Sequence, residues 1–358
     1  MPPTTQATPA RHRIAGRWVH HGGVTDSSRL AAESDLARAV EALRCGRLVA
    51  FPTETVYGLG ADARSPAALR RLYATKRRPG SHPVIVHLAS DTLLPAWARR
   101  VPRVAAQLAE RFWPGPLTLI LPRTPGVPDE VTGGLETVGV RVPSAPLARA
   151  LLEAFGDGVA APSANRFGRV SPTTADDVRR ELGADADVVL DGGPCPVGVE
   201  STIVDCTTES PAIVRLGGIA RERLEECVGS AMPVLDRGEV AAPGTLARHY
   251  APDLELVIVA EAALGSVARD HVAQGRRVGV LAAQPPADLC QEVFVIGTPR
   301  DADEYAHALY RHLRDAERRG VEVLLAVPPP EVGIGAAVAD RLRRAAAAPE
   351  AVLPESRL

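Results

Sequence analysis

Residues 48–60 read Leu-Val-Ala-Phe-Pro-Thr-Glu-Thr-Val-Tyr-Gly-Leu-Gly, and this stretch carries the first clear signal of a fold. Leu48 to Phe51 is an apolar run typical of a buried strand, which Pro52 ends. The hydroxyl residues that follow are expected at the carboxyl end of a sheet, where ligands of α/β proteins usually bind. Gly58 and Gly60 permit a close approach of the backbone or a positive φ. A plain turn from a strand into a helix is the alternative interpretation.

Helical and strand patterns alternate from residue 32 to residue 215. The expected strands are 48–51, 84–88, 117–121, 138–142, 158–161, 188–190, 202–205 and 212–215. The expected helices are 34–42, 66–76, 104–112, 146–155 and 174–182. Several consecutive strands have no helix between them, so we predict a mixed sheet with flanking helices rather than a purely parallel one.

A second alternation follows a stretch rich in proline and glycine. Its expected strands are 254–259, 278–281, 293–296 and 321–327, and its expected helices are 262–273, 302–318 and 336–346. The predicted organisation is an N-terminal extension over 1–31, a first domain over 32–225, a linker or lid over 226–253, a small C-terminal α/β domain over 254–346 and a tail over 347–358. The extension is interpreted as disordered, with a targeting segment as the alternative.

The composition of the chain argues against several classes of protein. The 358 residues carry a formal charge of −2, which gives no global attraction to nucleic acid or to an anionic membrane. No apolar run approaches the roughly 18 residues of a membrane span. The five cysteines are scattered, with no C-x-x-C pair, which favours the cytoplasm and indicates neither a zinc site nor a disulfide framework.

Lys76 is the only lysine in the chain, and the other 40 basic residues are arginine. It stands in the run Lys76-Arg77-Arg78-Pro79 at the end of an expected helix. Lysine offers a mobile point charge where arginine offers a planar fork, and contact with a nucleotide phosphate is a common reason to need lysine. A solvated basic edge is the alternative interpretation.

Other polar residues lie in predicted strands or directly after them. Ser163 and Asn165 come directly after 158–161, and Arg215 precedes two glycines. Arg141 lies inside an apolar strand and should have a partner, most simply a carboxylate. The sequence shows neither a Ser-His-Asp order nor a metal-spaced histidine pair nor a Walker A pattern. The chemistry indicated is positioning and charge neutralisation around phosphates.

With these residues assembled, the chain resembles the L-threonylcarbamoyladenylate synthases, a YrdC-like family, in their longer two-domain form. The resemblance covers residues 32–346. It rests on Phe51-Pro-Thr-Glu-Thr-Val-Tyr-Gly-Leu-Gly60, Lys76-x-Arg78-Pro79, Pro83-x-Ile-Val-His87, Trp113-Pro-Gly-Pro-Leu-Thr118, Val140-Arg-Val-Pro143, Pro162-Ser-Ala-Asn165, Glu200-Ser-Thr-Ile-Val-Asp205, Arg215-x-Gly217, Arg248-His-Tyr-Ala-Pro252 and Gly333-Ile-Gly-x-Ala-x-x-Asp-Arg341.

The resemblance implies a twisted mixed YrdC-like sheet and a smaller Rossmann-like domain. It also implies an enzyme that joins L-threonine, bicarbonate or CO2 and ATP, with Mg²⁺, into threonylcarbamoyl-AMP and pyrophosphate. The implied catalytic residues are Lys76 and Arg78. The implied threonine-binding residues are Thr53, His87, Arg141, Ser163 and Ser201. The implied ATP-binding residues are Lys76, Arg78, Thr118, Asn165, Ser171, Arg215 and Tyr250.

The resemblance further implies that a tRNA threonylcarbamoyl-transfer complex consumes the product. From the charge and the apolar runs we expect weak or no direct binding of tRNA and no membrane. One departure lies in the linker, where Pro243-Gly-Thr-Leu-Ala-Arg248 lacks the family's usual Met-Lys or Met-Arg pair. A carbamoyl transferase built on the same ATP-binding domain and a non-catalytic RNA-binding protein are the alternatives. We expect Lys76→Arg to lower the rate more than the stability, and a cut after residue 225 to leave a folded domain of impaired activity.

Overall fold

The structure, a computed structural model, describes residues 26–235, 243 and 249–347. The helices of the first domain are α1 Asp26–Arg44, α2 Pro66–Lys76, α3 Arg103–Phe112, α4 Asp129–Thr132, α5 Pro146–Phe155, α6 Ala175–Leu182 and α7 Arg221–Val228. Its strands are β1 Val49–Pro52, β2 Tyr57–Asp62, β3 Ile85–His87, β4 Leu117–Pro122, β5 Thr137–Arg141, β6 Val159–Ala160, β7 Val188–Val189, β8 Thr202–Asp205 and β9 Ala212–Arg215.

The strands of the first domain form one twisted mixed sheet in the order β7-β1-β2-β6-β3-β5-β4-β8-β9. The pairs β1–β7, β3–β5 and β4–β8 are parallel and the others antiparallel. Apolar side chains of α2, α3 and α7 cover one face, and those of α1 and α5 cover the other face. The predicted mixed sheet is therefore confirmed.

Strand β2 is not among the expected strands, because the sequence predicts a ligand-binding segment after Pro52, with a plain turn as the alternative. It pairs antiparallel with β1, and Val49 lies opposite Gly60. A Cβ added at Gly60 would come within 2.9 Å of the Phe51 ring and of a Val159 methyl group. Neither Gly58 nor Gly60 has a positive φ. At Gly60 the glycine therefore serves strand packing, and it gives no support for a close approach to a ligand there.

The second domain is a parallel sheet in the order β10-β13-β11-β12 with helices on both faces, so the Rossmann-like prediction is confirmed. Its elements are β10 Glu255–Ile258, α8 Leu264–Ala273, β11 Val278–Leu281, β12 Phe294–Gly297, α9 Ala302–Arg318, β13 Val323–Ala326 and α10 Gly335–Ala346. Helix α8 packs on one face, while α9 and α10 pack on the other. No helix in the described part of the chain is long and apolar enough to cross a membrane.

The core around α9 is shared by the two domains. Val56, Val170 and Val199 of the first domain belong to the same buried cluster as Tyr305 and Leu309 of α9. Helix α9 thus lies between its own sheet and the first domain. The interface is part of a hydrophobic core, which is the character of a permanent contact rather than a transient one.

Two of the predicted domain edges fall inside helices. Helix α1 already begins at Asp26, so the extension predicted over 1–31 overlaps it, and residues 1–25 lie outside the described ones. Helix α7 runs to Val228, past the predicted edge at 225. Beyond it Met232 is buried and the backbone N–H of Leu235 donates to the carbonyl of Ile213, 2.8 Å away. The first domain therefore extends at least to Leu235, and most of the predicted linker and tail lies outside the described residues.

Candidate active site

A cavity opens where the ends of several first-domain strands meet the chain around Pro243 and Tyr250. It measures about 530 Å³ with its open mouth included, which is within the range of small-ligand sites. Its lining comprises Thr53, Thr55, Val56, Gly58, Arg78, Ile85, His87, Arg141, Ala161, Pro162, Ser163, Glu200, Ser201, Arg215, Pro243, His249 and Tyr250. Eight of the twelve predicted site residues are among them, and the other four are Lys76, Thr118, Asn165 and Ser171.

The turn from β1 into β2 is fixed by Thr53. Its hydroxyl accepts hydrogen bonds from the backbone N–H groups of Thr55 and Val56, both at 3.2 Å, and donates to the Val56 carbonyl at 2.7 Å. Because the Thr53 hydroxyl makes its hydrogen bonds within the turn, its main role is to fix the backbone that forms this part of the cavity wall.

Arg141, at the end of β5, has the carboxylate partner that its sequence context predicted. Its Nη2 donates to Glu54 Oε1 at 2.7 Å and its Nη1 donates to Thr55 Oγ1 at 3.0 Å. The second oxygen of Glu54 accepts from the backbone N–H of Ser144 at 3.0 Å. The two charges are buried and satisfied together. Glu54 was missed as a site residue, although it is the only acid in the stretch 48–60.

Lys76 reaches the site from behind the loop that follows β6. It is 2% exposed, and its Nζ donates to the backbone carbonyls of Ser163, at 2.5 Å, and of Asn165. Burial lowers the pKa of Lys76 well below its usual range, and the charges of Arg78 and Arg166 add to this shift. The single ammonium of the chain is thus held against the cavity by neutral oxygens.

Arg78 and Arg215 line the cavity and are held in the same way. Arg78 donates to the carbonyls of His82 and Pro83, at 3.3 and 2.8 Å. Arg215 donates to the carbonyl and the hydroxyl of Ser201 and to the carbonyl of Pro243. Among the residues that the structure describes, no carboxylate forms an ion pair with Lys76, Arg78 or Arg215. A cluster of buried cations without carboxylate partners favours the binding of an anion.

Several buried polar atoms at or beside the cavity also have no partner in the structure. They are His87 Nδ1, Asn165 Oδ1, His249 Nδ1 and Tyr250 Oη. Since buried polar atoms are nearly always hydrogen-bonded, these atoms indicate where the polar groups of a ligand would lie.

Thr118 and Ser171 lie behind the wall rather than on it. The Thr118 hydroxyl is 2.8 Å from the hydroxyl of Ser201, and Ser171 donates to Glu200 at 2.7 Å. Both hydroxyls are fully buried. They support Ser201 and Glu200. Thr118 also lines a second, smaller cavity, which shares Ile85 and Pro243 with the first one.

The second domain contributes residues that no sequence signal assigned to the site. Tyr310 of α9 and Arg341 of α10 both bind the carboxylate of Glu200, and both contact the ring of Tyr250. Tyr250 itself was predicted from its motif. The sequence shows Arg341 only as part of a motif, because Glu200, the first-domain carboxylate that it binds, lies 141 positions away along the chain.

We expect the buried, neutral imidazole of His87 to make the stability depend on pH. Burial, with Arg141 adding to it, lowers the pKa of His87 to about 3. The unfolded chain binds a proton at this histidine near pH 6.5 and the folded chain does not, so stability falls as the pH falls below that value. Urea unfolding at pH 7 and pH 5 should show that His87→Gln loses about 2 kcal/mol less than the wild type.

Above pH 7 the difference in unfolding free energy between His87→Gln and the wild type should stay constant, because the imidazole is then neutral in both states. The same loss of stability in both proteins between pH 7 and pH 5 would contradict a neutral His87.

Comparison with known proteins finds a matching family model for each of the two domains. A family model described as telomere recombination, which groups Sua5, YciO and YrdC proteins, matches residues 41–217. A second one, described as the C-terminal domain of threonylcarbamoyl-AMP synthase, matches residues 219–347. The threonylcarbamoyl-AMP synthase of Pyrococcus abyssi is 43% identical over 316 residues, which cover 85% of this chain and 91% of that protein.

A second relative and one solved structure agree with this placement. The threonylcarbamoyl-AMP synthase of Bacillus subtilis is 39% identical over 326 residues, covering 88% of this chain and 93% of that protein. The crystal structure of P. abyssi Sua5 complexed with L-threonine superposes with a TM-score of 0.82 at 39% identity, covering 87% of this chain and 94% of that one.

Proposed function

The chain belongs to the threonylcarbamoyl-AMP synthase family, and from this membership we propose that it is the nucleotidyltransferase that joins L-threonine, bicarbonate or CO2, and ATP into threonylcarbamoyl-AMP and pyrophosphate. The observation that carries the proposal is the set of buried cations Lys76, Arg78 and Arg215, which have no carboxylate partner among the described residues. ATP and its pyrophosphate leaving group are anions of the kind that such a set would bind.

The proposed reaction has two steps. The amine of L-threonine first forms a bond to the carbon of CO2 and loses a proton, or displaces water from bicarbonate, and either route gives a carbamate. A carbamate oxygen then attacks the α-phosphorus of ATP, the bond from that phosphorus to the bridging oxygen breaks, and pyrophosphate leaves with the bonding electrons. Negative charge grows on the leaving group, and Lys76 and Arg78 stabilise it there. This chemistry needs positioning and charge neutralisation, and no covalent intermediate with the protein.

The threonine side is assigned to the residues around Arg141. These residues are Thr53, His87, Arg141, Ser163 and Ser201. A neutral His87 with a free ring nitrogen can accept a hydrogen bond from the threonine amine, which a charged imidazole could not do. The nucleotide side is assigned to Thr118, Asn165, Ser171, Arg215 and Tyr250, together with Lys76 and Arg78.

Magnesium enters this proposal as part of the substrate. Within residues 26–235, 243 and 249–347 no group of three or more acidic, histidine or cysteine residues could hold a metal ion. The carboxylates at the cavity, Glu54 and Glu200, are already bound to arginines. Mg²⁺ commonly keeps substrate phosphates and water as its main ligands, so coordination by the ATP phosphates suits this site.

We also propose that the product is passed to a tRNA threonylcarbamoyl-transfer complex, which modifies the adenosine next to the anticodon. The formal charge of −2 gives the chain no strong attraction to tRNA phosphates, so direct binding of tRNA is expected to be weak. The cytoplasm is the proposed compartment, because ATP is available there and the described cysteines are all unpaired.

The test is pyrophosphate release by the purified full-length chain with ATP and Mg²⁺. L-threonine and bicarbonate are each omitted in turn, with CO2-depleted buffer for the latter. Release that requires both substrates, together with threonylcarbamoyl-AMP detected by mass spectrometry, is the expected result. Release that depends on carbamoyl phosphate would support a carbamoyl transferase instead. No release under any condition would refute the synthase and turn attention to RNA binding.

A further inference from the structure

One carboxylate, that of Glu200, is shared by the two domains. Its Oε1 accepts from Ser171 Oγ at 2.7 Å and from the Tyr310 hydroxyl at 2.9 Å. Its Oε2 is 2.9 Å from the same Tyr310 hydroxyl and accepts from Arg341 Nε at 2.8 Å. Both carboxylate oxygens are therefore bound, and the two partners from the second domain lie on α9 and α10.

Arg341 is itself fixed from several sides. Its side chain is fully buried, its Nη2 donates to the Leu216 carbonyl at 2.8 Å, and its Nη1 donates to Asp340 at 2.6 Å. A guanidinium held by three different groups has little freedom to turn away from Glu200. The second domain thus inserts a rigid cation directly behind the cavity wall.

The Glu200 carboxylate is ionised in this position. Burial alone would raise the pKa of Glu200, but Arg341 and Arg215 lower it to about 2. Glu200 and Arg215 line the same cavity, and Arg215 lowers the pKa of Glu200, yet Arg215 is bonded to Ser201 and Pro243 instead of Glu200. A buried anion beside a site for another anion would normally neutralise the nearest cation and so weaken binding. Arg341 and Tyr310 prevent this by occupying both oxygens of Glu200.

The same two residues support Tyr250. The rings of Tyr250 and Tyr310 stack with centroids 5.8 Å apart, and the Arg341 guanidinium lies 4.9 Å from the centre of the Tyr250 ring. Tyr250 has a φ of 61°, a left-handed conformation that costs free energy for a residue with a side chain. The contacts with Tyr310 and Arg341 hold the ring in the cavity wall despite this strain.

We propose that Arg341, with Tyr310, is a positioning residue of the nucleotide side, which holds Glu200 away from Arg215 and so keeps Arg215 available for the phosphates of ATP. The inference rests on the proposed function for the identity of the anion. By this inference the second domain contributes to nucleotide binding in the first domain, and it does so through the carboxylate of Glu200.

The experiment is a double-mutant cycle on the full-length chain with Arg341→Met, Glu200→Gln and the double variant. Binding of ATP and of inorganic pyrophosphate is measured by titration calorimetry, and KM for ATP and kcat are measured where turnover occurs. Arg341→Met should weaken ATP binding at least 10-fold, because the freed carboxylate pairs with Arg215. Removing the carboxylate as well should restore binding, so that the double variant binds ATP more tightly than Arg341→Met and within about 3-fold of Glu200→Gln alone.

Arg343→Met is the matched control, because Arg343 is an exposed arginine of the same helix and pairs only with Glu331 in the described chain. It should bind ATP like the wild type. If Arg341→Met does not fold, Tyr310→Phe in the wild-type and Glu200→Gln backgrounds replaces it. That variant removes one hydroxyl and should weaken binding about 3-fold in the first background only.

Each outcome decides the inference. A double variant that binds ATP as weakly as Arg341→Met, or more weakly, would overturn it, since a purely structural role of Arg341 predicts no rescue. If the wild-type protein binds ATP or pyrophosphate but produces no pyrophosphate in the activity assay, the proposed function is refuted. The double-mutant cycle can still be measured by calorimetry in that case. Wild-type protein that binds neither would overturn the inference too, because Arg215 would then have no anion to receive.

Discussion

Replacing Lys76 by methionine should reduce pyrophosphate release at least 100-fold, about 2.7 kcal/mol of transition-state stabilisation. The reason is the position of the ammonium, which is buried beside the cavity and, among the residues that the structure describes, is bound to two backbone carbonyls only. When ATP is bound, the Lys76 ammonium can stabilise the negative charge that grows on the leaving pyrophosphate. Methionine is an unbranched side chain of similar volume, and it removes the charge together with the two hydrogen bonds of the ammonium.

The stability of Lys76→Met should change far less than its rate. The variant loses two hydrogen bonds to carbonyls, but it also removes an ammonium that is costly to bury. Because these terms oppose each other, the free energy of unfolding should stay within about 2 kcal/mol of the wild type. Rate and urea unfolding are measured on the same preparation. A rate within 3-fold of the wild type would exclude a catalytic role for Lys76.

Arg77→Asn is the matched control for the loss of one positive charge in this run of residues. Arg77 is exposed and has a φ of 53°, a conformation that asparagine tolerates. This variant should keep the wild-type rate. If it lost as much activity as Lys76→Met, the effect would come from the charge of the whole run and not from one placed ammonium.

From the sequence alone we expect Lys76→Arg to lower the rate more than the stability. The structure shows that this variant is a less selective test than Lys76→Met. With Lys76 2% exposed and its Nζ already against two carbonyls, a longer guanidinium does not fit without displacement. Overpacking of this kind typically costs about 1–3 kcal/mol. Lys76→Arg should therefore lower both rate and stability, so it cannot separate the two.

A fragment that ends at Leu235 should fold but lose at least 100-fold in kcat/KM. It keeps α7 and the backbone bonds of Ile213 with Pro233 and Leu235. It lacks Tyr250, Tyr310 and Arg341, so the cavity loses part of its wall and Glu200 is free to pair with Arg215. Circular dichroism and the pyrophosphate assay test the two parts of this expectation. Wild-type kinetics in the fragment would show that the second domain is dispensable for the chemistry.

A shorter fragment that ends at Glu225 separates folding from catalysis. It cuts α7 before its end and removes Met232, which is fully buried. It should therefore melt at a lower temperature than the fragment ending at Leu235, with no further loss of kcat/KM per folded molecule. Equal melting temperatures would show that residues 226–235 add nothing to the first domain.

The sequence predicted the fold well wherever apolar runs were continuous. Strands such as β4 and β11 and the long helix α9 were found at or near their observed bounds, because hydrophobic period and length agree there. Strand β2 was missed because Gly58 and Gly60 interrupt its apolar pattern and are typical of a turn. Only the packing of Gly60 against Phe51 and Val159 explains why a strand needs a glycine at that point.

The site was predictable to the extent that its residues directly follow strands. Arg141, Ser163 and Arg215 come at strand ends, and all three line the cavity. The contacts between the two domains were not predictable in the same way. Glu200 is bound by Tyr310 of α9 and Arg341 of α10, and contacts over such a distance in sequence leave no local periodicity or spacing from which to predict them.

The core shared by the two domains also has a consequence for how the protein is made. Domains generally fold in order as they leave the ribosome, with the N-terminal one first. Val199 and Glu200 are therefore translated before the helices that cover them, and Arg341 follows Glu200 by 141 residues. If Arg341 holds Glu200 as proposed, Glu200 is free to neutralise Arg215 until α10 has been made. The growing chain would thus carry a folded first domain with a blocked nucleotide side, and it would begin to bind ATP only after the second domain has folded onto the first.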